Sequence, residues 1–431
     1  MSGHDTIFAP ASGAGRAAVA VLRISGPGTR VLMATLSGGP TAPRRAVLRT
    51  LRGDAGEALD HAVVLWFPGP RSYTGEDSAE LHLHGGPAVI DAVAERLVAL
   101  GARPAEAGEF TRRAFLNGRM DLLQAEAVAD LVAAETSAQR RQALRQLDGA
   151  LGGVYQGWSE RLLHLLAQQE ALIDFPDEDL PAATEAALLA AIATLRHEIA
   201  AHLDDDRRGE RLRDGLVFAI AGAPNVGKST LINALAGREV AIVSPLPGTT
   251  RDVLEARVVL GGVPVTLLDT AGLRPTTDPI EAEGVRRAQA RAAAADLLVL
   301  VRDAPGPPAP VGLAPRTLTI ANKADLGRDA AVADMQVSAL TGAGMDRLRD
   351  CLAGIAADLT RAAGPPPLTR ARHRAALAAA AAHLERARER ALPEIRGEEL
   401  RLALRCVGQM TGAVTTEDVL DSVFAQFCIG K

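Results

Sequence analysis

A glycine-rich segment constrains the fold of this chain more than any other feature. Residues 222–229 read GAPNVGKS, which matches the pattern G-x-x-x-x-G-K-[ST]. The segment follows the apolar run LVFAIA and precedes the helix-like stretch STLINALAG, which is the strand–loop–helix context that the pattern requires. Backbone N–H groups at the start of such a helix hold phosphate oxygens. The sequence therefore predicts a phosphate-binding α/β domain, with Lys228 on the β- and γ-phosphates and the Ser229 hydroxyl toward Mg²⁺.

Three later motifs identify the base. DTAG (269–272) ends the next apolar run and places Asp269 near the metal. NKAD (322–325) ends a later run, and its Asp325 can accept hydrogen bonds from the N1–H and the exocyclic amine of guanine. SAL (338–340) follows at the spacing of a second base-contacting loop. Because adenine lacks that donor pair, the four motifs predict a GTPase of the translation-factor-like class.

The segment between the first two motifs predicts a switch region. It reads SPLPGTTRD (244–252), and Thr249 or Thr250 is expected to complete the Mg²⁺ shell in the GTP state. Leu273 stands where Ras-type enzymes carry a glutamine that orients water, and leucine cannot do this. Two nearby arginines are read as solvated switch residues at least as readily as catalytic ones. The domain therefore needs another group to position water and another cation.

Lysine is rare in this chain. Of its 47 basic residues only Lys228, Lys323 and Lys431 are lysines, and the first two lie in the nucleotide motifs. Lysine is a compact point charge, whereas arginine is a planar fork, so the two are not interchangeable. The third lysine is the last residue of the terminal segment FCIGK (427–431), which is therefore a candidate functional motif.

Composition excludes several classes of protein. The chain is 48% hydrophobic but 3% aromatic, so its cores must consist of Ala, Leu and Val. No signal-peptide pattern and no apolar stretch long enough to span a membrane is recognised. The three cysteines, Cys351, Cys406 and Cys428, are odd in number and lack metal-ligand spacing, which favours a reducing cytoplasm. The net charge of −5 does not indicate a nucleic-acid binder, although a local basic patch is compatible with it.

Periodicity predicts a multidomain chain that combines α/β and all-α parts. Residues 1–118 read as mixed α and β, residues 119–210 as long helices, residues 211–362 as an inserted Ras-like α/β GTPase domain with a parallel sheet, and residues 363–431 as a second helical part. The charged stretch DDDRRGERLRDG (204–215) is a boundary candidate. The sequence predicts a helical domain interrupted by the GTPase domain.

The terminal FCIGK has three readings. Termini usually fray, which makes a disordered end the plainest of them. A lipid anchor is disfavoured, because the prenylation rule wants an aliphatic residue where Gly430 stands and does not favour lysine at the end. The third reading makes the segment part of an active site.

These motifs together resemble the MnmE (TrmE) family of tRNA modification GTPases. The resemblance rests on GAPNVGKS, PGTTRD, DTAGLR, NKAD and the terminal FCIGK, and it extends to YTGEDSAELHLHGGP and GEFTRRAFLNGRMDLLQAEAVADL in the first half. It covers the whole chain. It implies an N-terminal folate-binding and dimerisation domain joined to a helical domain that contains the inserted GTPase domain.

The resemblance also implies ligands for the nucleotide site. K⁺ would be held by Asn225, Ser244, Leu246 and Thr249, and Mg²⁺ by Ser229 and Thr250. Glu281 would orient the attacking water. The nucleotide-binding residues would be Asn225, Val226, Gly227, Lys228, Ser229, Thr230, Ser244, Pro245, Leu246, Pro247, Gly248, Thr249, Thr250, Asp269, Thr270, Ala271, Gly272, Asn322, Lys323, Asp325, Ser338 and Ala339.

For folate, the resemblance implies Arg23, Glu80, Arg119 and Lys431 as binding residues. Position 119 departs from the family, in which lysine is usual, and the change from a point charge to a fork alters the contact geometry. Cys428 is the candidate thiol for the modification chemistry.

The reaction implied is modification of the wobble uridine, position 34, of certain tRNAs. With the FAD-containing partner MnmG (GidA), in a heterotetramer built on a homodimer of this chain, the family adds an aminomethyl or carboxymethylaminomethyl group at C5. The carbon comes from a tetrahydrofolate derivative and the nitrogen from glycine or ammonium. The alternative is a ribosome-assembly or signalling GTPase without such chemistry, for which a KH-type RNA module would be evidence, and none is recognised.

Three further patterns are read as structural. His82 and His84 lie two apart on one strand face, but no third metal ligand accompanies them. DFPDED (174–179) is read as a solvated connection between helices rather than a metal loop. Cys351 and Cys406 lie in apolar helical contexts and are read as packing residues.

Overall fold

Two six-stranded sheets organise the part of the chain that the computed structural model describes. That part comprises residues 5–13, 15–174, 182–223, 225–237, 255–269, 294–302, 316–327, 333–361, 364–414 and 417–430. It divides into two compact units. Unit 1 consists of Met1–Ala129, Gln146–His164 and Leu404–Lys431, and unit 2 of Asp130–Arg145 and Leu165–Ala403.

The sheet of unit 1 has the strand order β3-β4-β5-β2-β1-β6. Its pairs are antiparallel except for β1 with β6, which is parallel. The strands are β1 (Ile7–Pro10), β2 (Ala17–Ser25), β3 (Val47–Arg52), β4 (Ala58–Phe67), β5 (Ser78–Gly85) and β6 (Arg103–Pro104), and the accompanying helices are α1 (Thr29–Ser37), α2 (Pro87–Ala99) and α3 (Glu109–Leu116).

Period-two alternation assigns the two faces of this sheet. Leu22 pairs with Leu81 across β2 and β5, and both side chains are buried in a core shared with α1 and α2. Arg23 pairs with Glu80 in the same ladder, one residue along each strand. Because successive side chains of a strand point to opposite faces, this charged pair lies on the other face of the sheet.

Helices make up most of the remaining chain outside the second sheet. Those flanking the nucleotide motifs on the N-terminal side are α4 (Leu122–Ala133), α5 (Ser137–Leu147), α6 (Ala150–Asp174), α7 (Ala182–Leu203) and α8 (Arg208–Asp214), and those after them are α11 (Ala371–Glu389), α12 (Pro393–Thr411) and α13 (Glu417–Phe424). In unit 2, α7 packs against α11. Four buried residues of α7, Leu188, Ile192, Leu195 and Ile199, repeat at the three- and four-residue spacing of a helix face.

The second sheet, in unit 2, has the order β12-β11-β10-β7-β9-β8. Its elements are β7 (Leu216–Gly222), α9 (Lys228–Ala236), β8 (Glu255–Leu260), β9 (Val263–Asp269), β10 (Leu297–Arg302), β11 (Thr317–Ala321), β12 (Met335–Gln336) and α10 (Met345–Thr360), with a 3₁₀ turn at Ala324–Leu326. The expected runs form β7, β9, β10 and β11, all mutually parallel where they pair. A parallel sheet was expected, but β8 pairs antiparallel with β9, so the sheet is mixed.

The multidomain fold predicted from the sequence, with α/β and all-α parts, is confirmed. The charged stretch 204–215, read as a boundary, contains the helix α8. Glu210 of α8 is buried, and it accepts hydrogen bonds from Arg207 and Arg374. The boundary candidate therefore contains a helix whose buried carboxylate is ion-paired.

Candidate functional site

The phosphate loop joins β7 to the N-terminus of α9. Lys228 is buried, and its Nζ donates to the carbonyl oxygens of Gly222 and Ala223, each at 2.9 Å. These bonds hold the ammonium group over the loop. Gly227 caps α9 at a φ of 92°, in the left-handed region, and a Cβ there would collide with the amide nitrogen of Asn322. Only glycine satisfies both the backbone angle and this close approach.

Asn322 connects the phosphate loop to the base-contacting loops. Its side chain is buried, its Nδ2 donates to the carbonyl of Val226 at 2.9 Å, and its Oδ1 accepts from the backbone N–H of Ala339 at 3.0 Å. Lys323 Nζ donates to the carbonyl of Asn225 at 2.7 Å. NKAD therefore braces the phosphate loop.

Asp325 is an exposed carboxylate held by the SAL motif (338–340). The buried Ser338 donates from its Oγ to Asp325 Oδ1 at 2.5 Å, and the same Oγ accepts from the N–H of Thr341. A carboxylate only accepts hydrogen bonds, so an oriented one selects a base edge that presents two donors. This arrangement can distinguish guanine from adenine.

Ser229 and Asp269 form a pair of oxygen ligands. Ser229 Oγ donates to Asp269 Oδ2 at 3.0 Å, and Asp269 is buried at the end of β9. Hydroxyl and carboxylate oxygens are the donors that Mg²⁺ prefers, so this pair fits a magnesium site. Thr230 lies one residue further along α9 and is exposed.

Several predicted site residues lie outside the described part of the chain. They are Ser244, Pro245, Leu246, Pro247, Gly248, Thr249, Thr250, Thr270, Ala271, Gly272, Glu281 and Lys431, and most of DFPDED lies outside it as well. Their roles remain predictions from the sequence.

A second candidate site lies on the face of the unit 1 sheet that carries Arg23 and Glu80. A cavity of about 130 Å³ is lined by Arg23, Phe67, Tyr73, Thr74, Ser78 and Glu80. Arg23 donates from Nε and Nη2 to Glu80 Oε1 at 3.2 and 3.0 Å. Its guanidinium carbon lies 5.3 Å from the centre of the Tyr73 ring and 5.8 Å from that of Phe110. The cavity thus combines an ion pair with aromatic surfaces.

The loop of Tyr73 and Thr74 connects this cavity to Arg119. The side-chain amide of Asn117 donates to the carbonyl of Thr74 at 2.7 Å, and the exposed Arg119 lies against Gly75. Tyr73 shares a hydrogen bond of 2.8 Å with the hydroxyl of Thr111, and burial raises the pKa of Tyr73, which keeps the phenol neutral. Three of the four predicted folate residues, Arg23, Glu80 and Arg119, therefore lie at or beside one cavity.

Sequence reasoning missed the ionic cluster beneath this loop. Arg113 is buried, and it donates to the carbonyl and carboxylate of Asp5 at 2.8 Å, to Glu109 at 2.9 Å and to Glu76 at 3.3 Å. Glu76 also accepts from Ser25 Oγ at 2.8 Å. The cluster therefore fixes the residue that follows Gly75 in the cavity loop.

The cluster perturbs the ionisation of its members. Hydrogen bonds from Arg103, followed by those from Arg113, lower the pKa of Asp5. Burial opposes ionisation of Glu109, but the bonds from Arg103 and Arg113 outweigh it and lower the pKa of Glu109 as well. The only trace of this cluster in the sequence was the four-residue spacing of Glu109 and Arg113 on one helix.

The terminal segment is described as far as Gly430 and packs within unit 1. Phe424 and Phe427 are buried in a cluster with Leu122 and Ala125 of α4. Ile429 forms a bridge with Ala107 but is 63% exposed, so its apolar side chain is not part of this core. The bridge satisfies its backbone and leaves the side chain outside.

Gly430 contacts the end of β1. It has a φ of 97°, and a Cβ there would collide with the carbonyl oxygen of Pro10. Pro10 follows Ala9, which pairs with Arg23 in the ladder of β1 and β2. The segment therefore reaches β1, which pairs with β2, the strand that carries the cavity arginine. The thiol residue Cys428 is exposed.

The candidate ligand His84 has a structural partner. His84 Nδ1 lies 2.6 Å from Asp60 Oδ1, and the backbone N–H of His84 donates to the other oxygen of that carboxylate. Burial opposes ionisation of Asp60, but these bonds lower its pKa. Among the described residues no group of three His, Cys, Asp or Glu side chains can hold a metal ion. Cys351 packs against the core of unit 2.

One helical stretch, Glu185–Asp214, is long and apolar enough to cross a membrane by length and composition. The sequence reading had found none. Only 28% of its most apolar window is buried, including the stripe of α7 that packs against α11.

Comparisons with known proteins cover the whole chain. A family model described as "GTP-binding protein TrmE N-terminus" matches residues 6–119, and one described as "MnmE helical domain" matches residues 122–428. The protein "tRNA modification GTPase MnmE" of Gluconacetobacter diazotrophicus is 61% identical, over 99% of this chain and 98% of its own length. The proteins of the same name from Granulibacter bethesdensis and Rhodospirillum rubrum are 56% and 53% identical, each over 99% of this chain and at least 99% of its own length. The chain therefore belongs to the MnmE (TrmE) family of tRNA modification GTPases.

Proposed function

We propose that this chain hydrolyses GTP and uses the cycle to modify the wobble uridine of certain tRNAs at C5. The modification adds an aminomethyl or carboxymethylaminomethyl group, with a tetrahydrofolate derivative as the one-carbon donor. The chain works as a homodimer with the FAD-containing partner MnmG, in the cytoplasm. The four-part division at residues 118, 210 and 362 belongs to the same proposal.

One observation carries the proposal. In unit 1 the terminal segment with Cys428 packs against the strand next to the Arg23–Glu80 cavity, while a complete guanine-nucleotide motif set lies on the same chain. A GTPase without modification chemistry needs the guanine-nucleotide motifs but not the terminal segment beside the cavity.

The residues of the cavity fit a folate ring. The Glu80 carboxylate can accept from the N–H groups of a pterin, and Tyr73 offers an aromatic surface beside it. Arg23 fixes the carboxylate, and Arg119 adds a cation for the acidic part of the cofactor. Bound tetrahydrofolate would supply the carbon. Cys428 is the group of this chain that would act as a nucleophile or proton donor.

In the nucleotide site, Lys228 and the N-terminus of α9 hold the phosphates and Asp325 selects guanine. Ser229 and Asp269 fit Mg²⁺, with Thr250 as the further ligand in the GTP state. Asn225 takes a positive φ of 63°, and its exposed amide, with Ser244, Leu246 and Thr249, would hold K⁺. Glu281 would orient the water, which Leu273 cannot do.

The direct test is nucleoside analysis of tRNA from cells that lack this chain. The C5-modified wobble uridine should disappear and return when the parent chain is supplied. Normal wobble nucleosides in those cells would exclude the proposed modification and favour a GTPase with another task.

The folate site has its own test. Titration of purified chain with 5-formyltetrahydrofolate should show binding that Glu80→Gln weakens, whereas GTP binding should be unchanged in the same variant. Equal folate affinity in parent and variant would exclude this cavity.

A further inference from the structure

Helix α5 presents an exposed arginine face. Within Ser137–Leu147 it has no acidic residue, and Arg140, Arg141 and Arg145 are all exposed. At 3.6 residues per turn these three positions span an arc of ~140°, with the half-exposed Leu144 inside it. Within the described part of the chain, none of the three guanidinium groups forms an ion pair with a carboxylate. We define Arg140, Arg141 and Arg145 as the arginine face.

The opposite side of α5 is fixed to unit 2. Gln139 donates from Nε2 to the carbonyl of Arg213 at 3.0 Å, and Gln142 donates to the carbonyl of Gly209 at 3.0 Å. Ala143, on the same side, is 2% exposed. Both carbonyls belong to α8, which leads directly into β7 and the phosphate loop. The arginine face is therefore a rigid surface rather than a disordered basic tail.

The most basic segment of the sequence is not on α5, but ion pairs neutralise much of its charge. Residues 361–405 hold ten arginines and five glutamates. In the structure many of these arginines are neutralised: Arg386 pairs with Glu399, Arg396 with Glu185, and Arg401 with Glu170 and Glu398. Among the described residues the three arginines on α5 have no such ion pair, so their charge is available to a ligand.

We propose that the arginine face of α5 binds the phosphate backbone of tRNA. Guanidinium groups pair with phosphate oxygens through two parallel hydrogen bonds, and three of them on one rigid helix face can follow successive phosphates. Backbone contacts position a nucleic acid without reading its sequence, which suits an enzyme that acts on several tRNAs. This inference rests on the proposed function, since it locates the substrate of that function.

A membrane surface fits the same face less well. An interfacial helix buries a broad apolar face in the lipid. The apolar and amide side of α5 is packed against α8, and Leu144 is the one large apolar side chain that is half exposed within the arc of the arginine face. The feature of this face available to a ligand is therefore its arginine charge, which suits phosphate groups better than a lipid surface.

The test is a salt series of tRNA binding to the full-length chain. A variant with Arg140→Gln, Arg141→Gln and Arg145→Gln removes the face, and a variant with the same three residues changed to Lys keeps its charge. The control variant carries Arg388→Gln, Arg390→Gln and Arg401→Gln, which removes equal charge from the 361–405 stretch. The probe is a tRNA transcript, and basal GTP hydrolysis of each variant reports that unit 2 is folded.

The glutamine variant of α5 should bind tRNA at least about tenfold more weakly at low salt. Its slope of log affinity against log salt should fall by about 2, because each phosphate contact contributes roughly 0.7 to 0.9. The lysine variant should keep the parent slope, and the control variant should bind nearly as the parent does. Basal GTP hydrolysis should be equal in all four proteins.

Parent-like tRNA binding by the glutamine variant would overturn this surface while leaving the proposed modification untouched. A larger loss of tRNA affinity in the control variant would also overturn this surface. So would a result in which the glutamine variant binds tRNA like the parent but binds vesicles of anionic lipid more weakly. If the parent chain itself does not bind tRNA, this inference fails, and normal wobble nucleosides in cells lacking the chain would show that the proposed function fails with it.

Discussion

Replacing Asn322 by alanine should uncouple the two loops that hold the nucleotide. The asparagine side chain is 5% exposed and makes two hydrogen bonds, to the carbonyl of Val226 and from the N–H of Ala339. Alanine removes both hydrogen bonds and leaves the two backbone groups unpaired. Because the nucleotide must contact both loops at once, the bound state carries the full loss, whereas the free loops can move apart and reach water.

The magnitude follows from these two bonds. A buried backbone group left without its partner costs about 1 to 3 kcal/mol, so two of them cost at least about 2 kcal/mol. Since 1.4 kcal/mol is a factor of ten, GTP and GDP affinity should fall about 30-fold. The assay is titration with a fluorescent GDP analogue.

A matched control is Asn117→Ala, which removes one side-chain bond, to Thr74 in unit 1. It should leave the titration unchanged. GDP affinity of Asn322→Ala within threefold of the parent would refute the reasoning that this side chain braces the two loops.

Three other outcomes are expected. Asp325→Asn should weaken GTP binding and favour xanthosine triphosphate, because its amide donates to the O2 of xanthine, and unchanged GTP affinity in titration would show that NKAD does not read the base. GTP turnover should be faster in KCl than in NaCl at equal ionic strength, because Leu273 replaces the water-orienting glutamine, and equal rates would discard the role of K⁺. The pKa of Asp5 is lowered from its ordinary 3.8, so its ion pairs stabilise unit 1 above that pH, and this stabilisation is lost as pH falls through the lowered pKa. Asp5→Asn should therefore reduce the loss of unfolding free energy at acid pH, and an unchanged dependence of unfolding free energy on pH would contradict this.

The nucleotide site was predictable because its chemistry is local in sequence. The phosphate loop, DTAG and NKAD each end a strand, and strand C-termini of a parallel sheet meet at one edge. The structure brings Lys228, Ser229, Asp269 and Asn322 together accordingly. The antiparallel strand β8 was missed because EARVVL is a short edge run without a motif after it.

The surroundings of the cavity were not predictable in the same way. Arg113 binds Glu76 and Asp5 across separations of 37 and 108 residues, and no periodicity in one segment reports such a partner. Two further features depend on contacts that no local pattern reports. The apolar Ile429 is exposed although its backbone pairs with Ala107, and Glu210 of the charged 204–215 stretch accepts from Arg374, 164 residues away.

The central claim is that the terminal segment serves tRNA modification and not GTP hydrolysis. The most direct measurement compares wobble nucleosides and GTP turnover in one set of chains: the parent, Cys428→Ser and a deletion of residues 427–431. Both variants should hydrolyse GTP like the parent, and neither should restore the C5-modified uridine in cells lacking the chain. Full restoration by Cys428→Ser would exclude a catalytic thiol. Full restoration by the deletion as well would contradict the claim, because the segment would then be only a packed end.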